Sequence, residues 1–299
     1  NYVSEEFLLP AVSLAVALIL FEGGLSLRFR DIRQTGHVVF RLVTVGLVIT
    51  WILTAVAAHL ILGMSVQISA LLGALFTVSG PTVILPLLRH VRPAKRIGSV
   101  MKWEGIVNDP IGAVLAALVL QVITDHTPGG PLTDTMKGLA ISILVGFGLG
   151  AITAWMIVVL LKRYLVPDFL HNPVVLAAVV TVFAVANYLG HEAGLVAVTV
   201  LGILMANQRS VPVRHVIEFK ENLRTLLLGV LFIVLASRVQ VGPEEVVAIG
   251  WRGLAFVAAL VLAIRPFSVF VATLGSELNR SERLLLAWVH PRGVVAAAV

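Results

Sequence analysis

Long apolar runs separated by short polar, basic segments dominate the chain. Ten stretches are long or apolar enough to read as membrane-crossing helices: 8–27, 38–63, 66–88, 97–124, 138–161, 173–190, 193–207, 223–240, 246–274 and 283–299. A helix needs roughly 20 apolar residues to cross the hydrocarbon core. The seventh run is short, and the tenth is cut off at Val299. With no initiating methionine and an apolar end, the chain reads as a fragment of a longer protein.

The polar positions between the runs are as regular as the runs. Basic residues concentrate in every second connection: Arg28, Arg30, Arg33 and Arg41; then Arg89, Arg92, Lys95 and Arg96; then Lys162 and Arg163; then Arg209, Arg214, Lys220 and Arg224; then Arg280 and Arg283. The intervening connections are short or carry acids such as Asp125 and Asp134. Cytoplasmic loops of membrane proteins are rich in Lys and Arg, so this alternation predicts the N-terminus outside. Segment 208–224 mixes charged and apolar residues and predicts an interfacial amphipathic helix.

Composition agrees. The 299 residues are 59% hydrophobic and 13% charged, with mean hydropathy +1.00, against about 25% charged in a soluble domain. There are no cysteines, which excludes disulfides, thiolate metal sites and a cysteine nucleophile. The net charge of +6 does not indicate nucleic acid, because the basic residues sit in loops between apolar runs.

Against this background, polar groups inside the runs stand out, because ionisable residues there pair or line an ion path. Segment KWEGIVNDPIG, 102–112, places Glu104, Asn108 and Asp109 within one span, followed by Pro110. Asp109 lies about 18 Å along the helix from Ile97, near mid-bilayer. A carboxylate there is stable with a proton or with a cation, but hardly with both, which is the minimal chemistry of proton-coupled cation exchange. Pro110 removes the hydrogen bond to the carbonyl of Ile106 and loosens the helix locally. Glu104 and Asn108 share a face, with Asp109 turned about 100° away. Glu104 therefore reads as a separate element, a buried ion pair with Arg265 or Arg292. Glu22, just before Gly23 and Gly24, reads either as an acid snorkelling at a helix end or as an ion ligand.

Two spans carry helix-breaking sequence. In FTVSGPTVILP, 76–86, Pro81 and Pro86 each remove a backbone donor, and Gly80 frees the backbone. This predicts unwound chain around Ser79 and Gly80. HPRGVV, 290–295, repeats the disruption with Pro291, Arg292 and Gly293. Two interrupted spans in different halves point to an inverted-repeat transporter with its site between the breaks. Other motifs are weak. GFGLG at 146–150 follows no strand, and small residues four apart serve close helix packing. His191–Glu192 lacks the second histidine of a zinc-protease motif and reads as a tight connection. Ser79 is the sole nucleophile candidate, with no placed histidine, so no enzyme is expected.

The motifs EGIVND (104–109), SGPTV (79–83), FEGGLSL (21–27), AIRPF (263–267) and HPRGVV occur in order along the chain. In this company the chain resembles the monovalent cation:proton antiporter-1 family, the sodium/proton exchangers, of bacterial type. The resemblance implies an all-α polytopic fold of thirteen helices in two inverted repeats with two broken, crossing helices. Residues 1–299 would form a single transporter domain lacking the first two helices and the last. It implies alternating-access exchange of Na⁺ or K⁺ for H⁺ without a cofactor, in the bacterial inner membrane. Asp109 would carry the cation and the proton, beside Asn108. Ser79, Thr77 and Glu22 would complete the ion-binding set, with backbone carbonyls of the broken helix near Ser79 contributing. Glu104 would pair with Arg265. Partners would be membrane lipid, a second copy in a homodimer, and a cytoplasmic regulatory domain outside this chain.

The sequence departs from that family at Gly80, where a second aspartate is common, and at Gly105, where a serine ligand is common. Both losses reduce the oxygen and charge available and leave the preference among Na⁺, K⁺ and Li⁺ open. Asn108 in place of a second acid is the family feature associated with electroneutral, one-for-one exchange. The alternative carried forward is a sodium- or proton-coupled carrier of a small organic anion, supported by Arg292 beside the second break.

Overall fold

The computed structural model describes residues 5–124, 132–190, 192–208, 226–227, 229–230, 232–233 and 243–289. All regular structure among them is helical. Helix α1 spans Glu5–Leu25, α2 Gly36–Leu62, α3 Val66–Leu75, α4 Pro81–Val91 and α5 Lys95–Thr124. Then follow α6 (Leu132–Lys162), α7 (His171–Leu189), α8 (Ala193–Asn207), α9 (Gly250–Ala272, set off by a kink at Gly250, φ 49°, from a helical stretch that begins at Pro243) and α10 (Arg280–Trp288). Five stretches are long and apolar enough to cross a membrane among the described residues: Gly36–Leu62, Lys95–Thr124, Lys137–Lys162, Asp168–Leu189 and Gly250–Ala272. Large apolar side chains such as Leu60, Leu144, Trp155 and Phe267 stand exposed along them, the surface a helix presents to lipid rather than to water.

The helices gather into two units. One holds residues 1–30 and 130–236, hence α1, α6, α7 and α8; the other holds 31–129 and 237–297, hence α2 to α5, α9 and α10.

In the first unit, α8 is the centre, apolar on all sides and packed against α1, α6 and α7. Glycine makes those approaches possible. A methyl group on Gly202 would lie 2.3 Å from the Phe21 carbonyl oxygen, and one on Gly24 2.5 Å from that of Thr199. Gly146 and Gly150 meet Ala193 and Ala197 of α8 in the same way, so the glycine spacing of GFGLG serves packing. Asn207 ties the end of α8 to the end of α1: its amide nitrogen donates to the Leu27 carbonyl at 2.8 Å, and its oxygen accepts from the Phe29 N–H at 2.8 Å. Gly190 ends α7 and Glu192, at φ 53°, caps α8, so the connection is as short as the sequence indicates.

In the second unit the helices are less regular. Helix α2 contains π turns at Leu42–Gly46 and Ala58–Leu62, and α9 contains one at Leu260–Ile264, just before Arg265. Pro266 has no N–H for the carbonyl one turn back, which accounts for the irregular ladder there. The run read as one span at 66–88 is two helices, α3 and α4, with non-helical chain between Leu75 and Pro81. Helix α5 runs unbroken through Pro110. The predicted segments 208–224 and 290–295 lie, apart from Gln208, outside the described residues, as does most of 223–240.

Candidate functional site: a buried acid beside an interrupted helix

Pro81 is the first residue of α4, where its missing N–H costs nothing, and Gly80 is the N-cap. Gly80 has φ −135° and ψ 152°, an extended conformation open to any residue. The interruption therefore rests on Pro81 rather than on glycine's conformational freedom. Thr77 folds its hydroxyl back to the Ala74 carbonyl at 2.7 Å, closing the end of α3. Ser79 donates across to the Gly105 carbonyl of α5 at 3.3 Å.

Helix α5 receives the break through two glycines seven residues apart. A methyl group on Gly112 would lie 2.8 Å from Thr77 Oγ1 and 3.0 Å from the Val78 nitrogen. One on Gly105 would touch Ile84 of α4 at 3.4 Å. Residues 105, 108, 109 and 112 lie on adjoining helical positions, so Asn108 and Asp109 flank the stripe that meets the break.

Asp109 stands midway along α5 and is 0% exposed. Neither of its carboxylate oxygens has a hydrogen-bond partner. An isolated ionised carboxylate away from water is too costly to persist; this group is stable only when a proton or a cation neutralises it.

Glu104 is also buried, but it is satisfied. Arg265 Nη1 and Nη2 donate to Glu104 Oε1 and Oε2 at 2.5 and 3.0 Å. The same Nη2 donates to the carbonyls of Leu286 and Val289 at 3.1 and 3.4 Å. Arg265 thus joins α5 to the C-terminal end of α10, where a helix leaves its last carbonyls without partners. Close by, Thr50 Oγ1 and Ser268 Oγ lie 3.0 Å apart and both donate to the Gly46 carbonyl, at 2.8 and 2.9 Å. A cavity of ≈ 20 Å³ lies among these groups, with Thr50, Thr77, Ser79, Glu104, Asn108 and Arg265 on its walls.

The structure therefore gathers Thr77, Ser79, Asn108, Glu104 and Arg265 around one space, with Asp109 adjacent on α5. Glu22 belongs to the other unit, at the last turn of α1; it is 9% exposed, which does not fit an acid snorkelling to solvent. Pro291, Arg292 and Gly293 lie outside the described residues. Sequence reading missed the Thr50–Ser268–Gly46 cluster and the capping of α10 by Arg265. No spacing motif marks the first; the second depends on which helix end α9 meets. Gly112 was legible in principle, as a glycine seven residues from Gly105 on the acid's own helix.

Long apolar helices, exposed apolar side chains and a neutralisable acid at mid-helix define a multi-pass membrane protein built around a buried titratable group. Residues 6–299 match the family described as sodium/hydrogen exchanger, transmembrane, and the chain belongs to that family. The family so described is one of transmembrane exchangers, a class of transporter. It is 27% identical over 288 residues to the K⁺/H⁺ antiporter NhaP of Alkalimonas amylolytica, covering 95% of this chain and 49% of that one. It is 24% identical over 301 residues to Na⁺/H⁺ antiporter 1 of Methanocaldococcus jannaschii, covering 96% and 68%. The fold is that of the sodium proton antiporter MjNhaP1 from M. jannaschii, with TM-score 0.81 at 20% identity over 98% of this chain and 74% of that one. The chain spans about half the length of several curated relatives it matches.

Proposed function

We propose that the protein exchanges a monovalent cation, K⁺ or Na⁺, for H⁺ by alternating access, with Asp109 carrying each in turn. The observation that carries this reading is the fully buried carboxylate with no hydrogen-bond partner, beside a helix break. One titratable site holding one charge of either kind gives one-for-one, electroneutral exchange. Asn108 holds local structure without adding charge. Ser79 and Thr77, on the interrupted segment, bring oxygen to the same region, and Glu22 is a further candidate ligand for the ion. The Glu104–Arg265 pair is structural. The broken α3–α4 segment is one of two crossing interrupted helices in an inverted-repeat fold of thirteen helices, of which this chain holds about ten. Lipid covers the exposed apolar helix faces, and the working unit is a homodimer in the bacterial inner membrane.

Nothing described favours the anion carrier. Its supporting residue, Arg292, lies outside the described residues, and Arg265 is already engaged by Glu104.

The test is exchange in vesicles carrying the full-length protein. Wild type dissipates a preset pH gradient on addition of K⁺ or Na⁺, with no steady current; Asp109→Asn does not. Undiminished exchange by Asp109→Asn would refute the assignment.

A further inference from the structure

Two side chains on the walls of the ≈ 20 Å³ cavity each carry a buried polar atom without a partner, and their needs are complementary. Arg265 Nε is a donor with no acceptor, and Asn108 Oδ1 is an acceptor with no donor. Both residues are more than nine-tenths buried, at 6% and 7% exposed. They make no hydrogen bond to each other, although both line the same space. We propose that this cavity is an ordered-water site, in which one water accepts from Arg265 Nε and donates to Asn108 Oδ1.

The size fits, because a single water needs about 10–15 Å³ by this measure. The walls fit as well. The hydroxyl protons of Thr50, Thr77 and Ser79 are already given to the carbonyls of Gly46, Ala74 and Gly105. Their oxygens keep lone pairs, so any one of them accepts the second proton of the water. That makes three hydrogen bonds, the usual number for a buried water. A transported cation is a poor occupant of the position beside Arg265, because it needs oxygens all round and Arg265 lines this space with a positive charge.

The water joins two features that otherwise stand apart. The Arg265 fork holds Glu104 and the end of α10 with its two terminal nitrogens, and through Nε and the water it holds the side chain next to Asp109. Arg265 is then a positioning residue for Asn108. This inference concerns a resident water and does not depend on which ion is transported.

The direct test is cryo-electron microscopy of the full-length protein in lipid nanodiscs, at a resolution that shows ordered waters, with choline as the only buffer cation. The expected result is one density peak within hydrogen-bonding distance of both Arg265 Nε and Asn108 Oδ1. A cavity without density, a direct Nε–Oδ1 contact, or a peak that appears only when K⁺ or Na⁺ replaces choline would each overturn the proposal. A double-mutant cycle gives an independent reading. Asn108→Leu removes the acceptor, and Arg265→Lys keeps the positive charge but loses Nε. With the water in place, the loss of melting temperature from Asn108→Leu shrinks in the Arg265→Lys background. Additive losses would contradict the link.

Discussion

Helices α8 and α5 are both buried for much of their length, yet they are built on opposite principles. In α8 the one buried polar side chain, Thr199, bonds back to its own helix at the Leu195 carbonyl, 2.8 Å away. Between the hydrogen bonds that Asn187 and Asn207 make at its two ends, the remaining contacts are apolar and made close by glycine. In α5, Glu104, Asn108 and Asp109 are buried on a single helix, and only Glu104 has its oxygens satisfied by a side chain. The first arrangement leaves α8 with no titratable side chain along its length. The second keeps a carboxylate away from water and unpaired, which is useful only to a protein that supplies it with a proton or an ion. Among the described residues the three π turns all fall in the second unit, where departures from a regular ladder accompany the polar groups.

Substitutions sharpen this contrast. The largest stability effect is expected at Arg265. Arg265→Ala leaves the Glu104 carboxyl buried and alone and removes the cap of α10, a loss of about 3–5 kcal/mol by analogy with other broken buried pairs, measurable as thermal unfolding in detergent. Next comes Gly150→Ala in the first unit. Its methyl would lie 2.4 Å from the Ala197 carbonyl oxygen of α8, a backbone atom that cannot swing aside as a side-chain tip can, and overpacking of this kind costs about 1–3 kcal/mol. Ser268→Ala removes one hydroxyl from a cluster in which Thr50 still serves the Gly46 carbonyl, so about 1 kcal/mol is expected. Gly148→Ala completes the series. Two residues from Gly150, it has nothing within 4 Å of the added methyl, and replacing glycine inside a helix gains up to about 1 kcal/mol. If Gly148→Ala and Gly150→Ala behave alike in the same unfolding experiment, the close-packing account of α8 fails.

The elements easiest to read from sequence were those whose physics is local. Apolar runs of sufficient length became α2, α5, α6, α7 and α9, because in lipid a helix is the one way for a single segment to satisfy its own backbone. Glu104 was read as paired, because an acid and an arginine in apolar runs need each other; Arg265 was put ahead of Arg292, and in the structure Arg265 is the partner. What local reasoning could not supply were contacts that need three dimensions: the second task of Arg265 at the end of α10, the hydroxyls of Thr50 and Ser268 sharing one carbonyl, and the fit of Gly112 against Thr77 and Val78. Gly80 was credited with a backbone role that its extended φ does not require. The continuity of α5 through Pro110 agrees with the single span read at 97–124, in which the proline removes one hydrogen bond without ending the helix.

The central claim is that Asp109 holds either a proton or a cation, never both. Its most direct test is proton release measured when K⁺ or Na⁺ is added to purified full-length protein in weakly buffered detergent solution. Wild type should release close to one proton per chain as the ion saturates, and Asp109→Asn should release none. Equal release from the two proteins, or none from wild type while the ion demonstrably binds, would contradict it.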